Sequence, residues 1–200
     1  MHILKNFAMQ DKDEKHRFID NFGFGIIVSD SLSATHLPFY LRADEGLAGT
    51  LYSHCSRANP HWKELAGAEV LVIFSGPHAY ISPSWYSQSP AVPTWNYAAV
   101  HGYGVVSLLD DMQTIDALKN ISSKYEPELL IKKDILTDAY RDKLLSGIVG
   151  FKVELSHLQG QSKIVQNRKK QDQQQVFKAL SNSSDFDSLA LASYMQPFMQ

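Results

Sequence analysis

Ser53, Arg57 and Asn59 lie close together in Ser53-His54-Cys55-Ser56-Arg57-Ala58-Asn59-Pro60, where an apolar run passes into a helix start. A helix N-terminus offers unpaired backbone N–H groups and the positive end of its dipole to an anion. Ser53, Ser56, Arg57 and Asn59 add side-chain donors and one full charge, the set that a terminal phosphate requires. Asn59 also suits a plain helix cap, and Arg57 a solvated surface charge. Upstream, Thr35 and His36 are adjacent in Ala34-Thr35-His36-Leu37-Pro38. On one strand they point to opposite faces, so one of them faces a ligand while the other faces the core or a partner subunit.

The second chemical concentration runs from Gly76 to Gly104, GPHAYISPSWYSQSPAVPTWNYAAVHGYG. It holds two Trp, four Tyr, two His and four Pro, without Lys, Arg, Asp or Glu. Buried Trp and Tyr need partners for their N–H and O–H groups. A charge-free aromatic surface edged with hydroxyls and imidazoles suits a flat, partly polar ring such as a nucleobase or a flavin. The competing interpretation is a hairpin whose aromatics fill the core.

Other groups carry less. Cys55 stands between His54 and Ser56, but neighbours on a strand diverge, so His54 is badly placed to activate a thiolate, and a buried, unreactive thiol is expected. The eight histidines form no HxH, HExxH or CxxC spacing, so no metal site is expected. No paired acid and base can be singled out, and the catalytic residues stay unassigned. Arg168-Lys169-Lys170 is the only basic run, followed at once by Asp172. Formal net charge is −2 and the pI about 6.4, so direct nucleic-acid binding is doubtful. GxGxxG and GxxxxGK[ST] loops are absent, which argues against a Rossmann or P-loop nucleotide site.

The elements that must position these groups follow from periodicity. A helix is expected over Asp11–Phe22, with strands over Phe24–Ser29, Ala34–Leu41 and Leu47–Ser53. A short helix should follow over Asn59–Leu65, then the strand Glu69–Ser75. Strands over Ala79–Ser82 and Thr94–Leu109 are joined by a Ser/Pro-rich loop. An amphipathic helix follows over Asp110–Tyr125, with Met112, Ile115, Leu118 and Ile121 on one face. Leu129–Leu145 reads as a further helical region and Ile148–Leu155 as a strand returning to the sheet. Terminal helices are expected over Asp172–Leu180 and Asp185–Tyr194. Short strands first, one returning late, and helices between them point to an antiparallel barrel rather than a βαβ fold. The 200 residues, 44% hydrophobic and 20% charged, suit one core. We expect a domain over 1–160 and a C-terminal helical extension, 161–200, packed on it. One cysteine, no signal-peptide pattern and no membrane-length apolar run suggest a cytoplasmic protein.

The blocks Ala34–Pro38, His54–Trp62, Val70–Tyr86, Val92–Gly104, Gly147–Phe151 and Gln166–Arg168 together resemble the PaiB family. Its members are FMN-binding-type proteins described as negative transcriptional regulators. Cys55 departs from the family pattern, which usually has Leu there. The resemblance implies a mainly β, α+β fold, the FMN-binding split β-barrel of flavin reductases and pyridoxamine-phosphate oxidases. It also implies a homodimer with FMN at the subunit interface. On that pattern Ser53, Arg57 and Asn59 hold the FMN phosphate, with Thr35 and His36 close by. Ser82, Ser84, Trp85, Trp95 and Asn96 edge the ribityl chain or the isoalloxazine, and His78 and His101 bond its polar edge. The expected function is that of a flavin-binding regulator. The alternatives are a flavin-dependent oxidoreductase or flavin reductase using NAD(P)H and, third, a haem-binding protein.

Overall fold

The computed structural model describes residues 1–132, 137 and 144–199. Its seven strands are β1 (Phe24–Val28), β2 (Ala34–Pro38), β3 (Tyr40–Arg42), β4 (Thr50–Ser56), β5 (Glu69–Ile81), β6 (Thr94–Leu108) and β7 (Ile148–Lys163). They form one sheet in the order β2-β1-β5-β6-β7-β4-β3, and the β1–β2, β1–β5, β3–β4 and β4–β7 ladders are antiparallel. Helices among the described residues include α1 (Lys12–Asn21), α2 (His61–Leu65), α3 (Asp111–Tyr125), α4 (Lys170–Ser181) and α5 (Phe186–Met195). The antiparallel, helix-flanked split-barrel class expected from the sequence is the class observed.

Two expected strands are one. Gly76-Pro77 reads as a break, yet β5 runs through it to Ile81. β1 pairs with β5 only over Leu71–Ile73, so Pro77 lies past that ladder, where a missing N–H costs nothing on that side. The opposite happens at Phe39, where the single expected strand divides into β2 and β3. Phe39 is almost wholly buried, and its N–H donates to the Gly23 carbonyl at 2.7 Å instead of continuing a ladder. Most of the helical region expected over Leu129–Leu145 lies outside the described residues; its start is a 3-10 turn, Pro127–Leu130.

Contacts divide the chain into two compact units. The larger comprises Lys12–Phe74 and His101–Leu158. Phe39 packs edge-on against Phe74 (centroids 5.6 Å) and Phe151 (6.4 Å), and Ile27, Leu51, Val72 and Val153 are fully buried. Helix α3 starts on a capping box: the Gln113 N–H donates to Asp110 Oδ1 at 2.8 Å, and the Asp110 N–H donates to Gln113 Oε1 at 3.2 Å. Asp110→Ala is therefore expected to cost about 1 kcal/mol, read from urea unfolding, while Asp110→Ser should recover most of it.

The smaller unit comprises Met1–Asp11, Ser75–Val100 and Gln159–Gln200. Its core joins Ala79 and Ile81 of β5 to Ile164 and Val165, to Val176 and Leu180 of α4, and to Leu191, Ala192 and Met195 of α5. Asp172 in the first turn of α4 accepts both the N–H and the hydroxyl of Ser87, at 2.7 and 2.6 Å. These bonds hold its carboxyl below the usual range and tie the Ser/Pro-rich loop to the helix.

Candidate functional site

In the larger unit the turn from β4 into α2 brings together Thr35, Ser53, Arg57 and Asn59, but much of its donor capacity is directed inward. Ser53 is fully buried, and its hydroxyl donates to the Pro38 carbonyl at 2.7 Å. Asn59 Nδ2 donates to Thr35 Oγ1 at 3.2 Å, while its Oδ1 accepts the His61 N–H at 3.1 Å. Arg57 is exposed; its Nε donates to Ser146 O at 2.9 Å and its Nη2 to Ile148 O at 2.8 Å. A guanidinium has five N–H donors, so those not spent on the two carbonyls, and the whole charge, remain available. Ser53 and Asn59 shape this turn, and Arg57 presents its positive charge. His36 is exposed beside Phe24, with ring centroids 6.2 Å apart.

The same turn carries a group that the sequence did not single out. His61, 5% exposed, has a hydroxyl on each ring nitrogen: Thr35 Oγ1 at 2.8 Å from Nδ1 and Ser29 Oγ at 3.0 Å from Nε2. The Ser29 and Ser31 hydroxyls both donate to Glu64 Oε2, at 3.3 and 2.5 Å. Burial pushes the His61 pKa below its ordinary value, against the opposing influence of Glu64. The serine hydroxyls, Ser31 foremost, hold the Glu64 carboxyl below its usual range. Burial also lowers His54 and His101, each with Nδ1 buried and unpartnered, and raises the Cys55 thiol, which is buried and free as expected.

In the smaller unit, strand alternation divides the aromatic block. Trp95 is 50% exposed, with His78 (5.9 Å between centroids) and Tyr80 (6.3 Å, edge-on) against its ring. His78, Trp95 and Tyr97, with Gly76 and Ala98, line a concavity of about 270 Å³. Asn96, one residue on, points the other way and is fully buried, with neither amide atom bonded. It lines a separate cavity of about 200 Å³ with Thr94, Lys163 and Arg168. Trp85 packs with Tyr86 against the core made by α4 and α5. Ser82 caps the 3-10 turn Pro83–Trp85 by accepting the Ser84 N–H at 3.2 Å. Lys163 and Arg168 were not singled out as ligand groups, although Gln166–Arg168 was among the matching blocks. The signal was present without a chemical role attached.

Comparison with known proteins gives this arrangement a context. Residues 1–157 match the family model described as "Putative FMN-binding domain". The chain is 37% identical to Protease synthase and sporulation protein PAI 2 of Bacillus subtilis, across 98% of this chain and 97% of that protein. Two solved structures share the fold. The flavocytochrome Anf3 from Azotobacter vinelandii has a TM-score of 0.64 at 15% identity, over 81% of this chain and 72% of its own. An FAD and heme binding protein from Mycobacterium smegmatis has a TM-score of 0.61 at 14% identity, over 78% and 73%. A family model spanning most of the sequence, with near full-length similarity to PAI 2, places the chain in the PaiB-type family of FMN-binding-domain proteins, whose cofactor is FMN.

Proposed function

We propose that the chain is a cytoplasmic, regulator-like flavoprotein that holds FMN at the interface of a homodimer. The observation that carries this is the exposed aromatic face of His78, Tyr80 and Trp95. Half-exposed Trp and Tyr beside a shallow concavity suit a ring or a second subunit far better than bulk water. The residues present fit the cofactor: an aromatic cradle for the ring, and an exposed Arg57 with donors to spare for the phosphate. In this proposal Arg57 supplies the charge, Ser53 and Asn59 set the turn that carries it, and Thr35 and His36 flank it. Ser82, Ser84 and Trp85 border the ribityl side, while His78, Trp95 and, through its buried amide, Asn96 serve the ring. His101 belongs to the same expected set. A second copy of the chain supplies the aromatic set that meets each phosphate set. Bound FMN supplies hydride or electron chemistry; the chain's own residues bind, orient and exclude water.

The regulator interpretation is supported by the similarity to PAI 2, whose name speaks of protease synthesis and sporulation rather than of a reaction. With a net charge of −2, regulation is proposed to run through a metabolite or protein partner rather than through DNA phosphates. Among the described residues no helix is long and apolar enough to cross a membrane.

The test is an FMN titration followed by flavin fluorescence. Saturable quenching at micromolar FMN is expected, with Arg57→Ala weakening affinity about tenfold through loss of a charge-assisted contact. Trp95→Ala should reduce quenching, and sedimentation should report a dimer. Absence of quenching, or an affinity unmoved by Arg57→Ala, would count against the arrangement.

A further inference from the structure

The cavity behind Asn96 is unlike the other concavities. Asn96 has no exposed surface, yet neither Nδ2 nor Oδ1 meets a hydrogen-bond partner. Buried side-chain amides are nearly always satisfied, and leaving one unpaired is costly. The same cavity is lined by two cations, Lys163 and Arg168, and by no carboxylate. Lys163 Nζ donates to Thr94 Oγ1 at 2.6 Å, which leaves donors over. The Arg168 guanidinium carbon lies 4.4 Å from the Tyr86 ring centroid, a cation–π contact. Asp172, the acidic group that feels the charge of Arg168, is held by Ser87. Phe7 and Val165 add apolar lining.

We propose that this cavity binds a small planar cyclic imide, a ring that presents an N–H between two carbonyls. An amide has one donor side and one acceptor side, and an imide edge answers both at once: its N–H donates to Asn96 Oδ1, and one carbonyl accepts from Asn96 Nδ2. The second carbonyl takes donors from Lys163 or Arg168. A bare carboxylate or phosphate would meet the cations but leave Oδ1 facing another acceptor. Size agrees: about 200 Å³ admits a single ring and is smaller than the pockets of about 300–1,000 Å³ that hold larger ligands.

The imide edge has two sources, a free pyrimidine base or the pyrimidine end of a flavin. The second rests on the proposed FMN site; the first does not. Uracil, N3-methyluracil and FMN are to be titrated separately into the full chain by calorimetry, with Asn96→Leu as the variant. Saturable uracil binding, at least about tenfold weaker for N3-methyluracil and lost in Asn96→Leu, supports the site and identifies the free base as its source. Failure of uracil together with FMN binding that weakens tenfold in Asn96→Leu supports it with flavin as the source. Uracil binding without any FMN binding retires the FMN interpretation and leaves this one standing. The proposal is overturned if N3-methyluracil binds as well as uracil. It is also overturned if neither uracil nor FMN responds to Asn96, or if a uracil-soaked crystal shows only ordered water on the amide. Should Asn96→Leu not fold, the methylated base on the native chain decides.

Discussion

Replacing Gly104 with alanine is expected to destabilise the protein by about 3 kcal/mol or more, lowering Tm by roughly 6–12 °C for a chain of this size. A Cβ at this position would fall 2.3 Å from the Glu154 carbonyl oxygen, 2.9 Å from its carbonyl carbon and 3.0 Å from the Leu155 Cα. All three atoms are backbone, so no rotamer change relieves the overlap; β7 must move away from its neighbour β6. That movement would also disturb the parallel stack of Tyr103 on His157, now 4.4 Å between centroids and 4° between planes. Gly150 makes an informative control. A Cβ there would meet Thr114 Oγ1, with Thr114 Cγ2 at 2.8 Å and Cβ at 2.9 Å. Turning the side chain moves the first two at the expense of the 2.7 Å bond to the Asp110 carbonyl, and the Cβ overlap asks for a small shift of α3 rather than of a hydrogen-bonded strand. Gly150→Ala should therefore cost less than Gly104→Ala. Urea unfolding of both variants checks the order, and a Gly104→Ala protein within a degree or two of native Tm would contradict it.

The contrast between these glycines shows what a sequence carries and what it hides. Alternation and length made the strands and terminal helices legible, because burial of one face follows directly from local pattern. The same alternation implies that Trp95 and Asn96 diverge, and the structure puts one outside and the other inside. Distant partners are what local pattern lacks. Arg57 spends two donors on carbonyls of residues 146 and 148, about ninety positions away, so its spare capacity is smaller than the motif suggests. The closeness of Gly104 to Glu154 belongs to two strands far apart in sequence. Trp85, read as a ring-edge residue, packs on helices that begin at Lys170 and Phe186, far along the chain. The Ser53–Pro60 turn was legible as a place where polar groups gather; the direction each one faces was not.

His61 carries the other large expectation: His61→Leu should cost about 2–4 kcal/mol at pH 7, and less at pH 5. The loss at pH 7 arises because its hydrogen bonds run in one direction. Asn59 donates to Thr35, and Ser29 donates to Glu64. The Ser29 oxygen is then free to accept from His61 Nε2–H, and the Thr35 hydroxyl donates to Nδ1. The neutral ring fits this order; leucine takes the acceptor from the Thr35 hydroxyl and the donor from Ser29, which keeps its bond to Glu64. Protonation of Nδ1 would oblige the Thr35 hydroxyl to turn from donor to acceptor, and would put a charge where burial is hostile to it. The folded pKa therefore lies below the unfolded value near 6.5. As pH falls past that value the unfolded chain takes up the proton first, so the stability held above it declines as pH drops through the folded pKa. His54 and His101, lowered by burial in the same direction, steepen the decline. Urea midpoints at pH 7 and 5 should show the native protein losing stability and His61→Leu losing less of it. Equal losses would show that His61 is not among the groups that titrate, and a native protein more stable at pH 5 would reverse the sign of the argument.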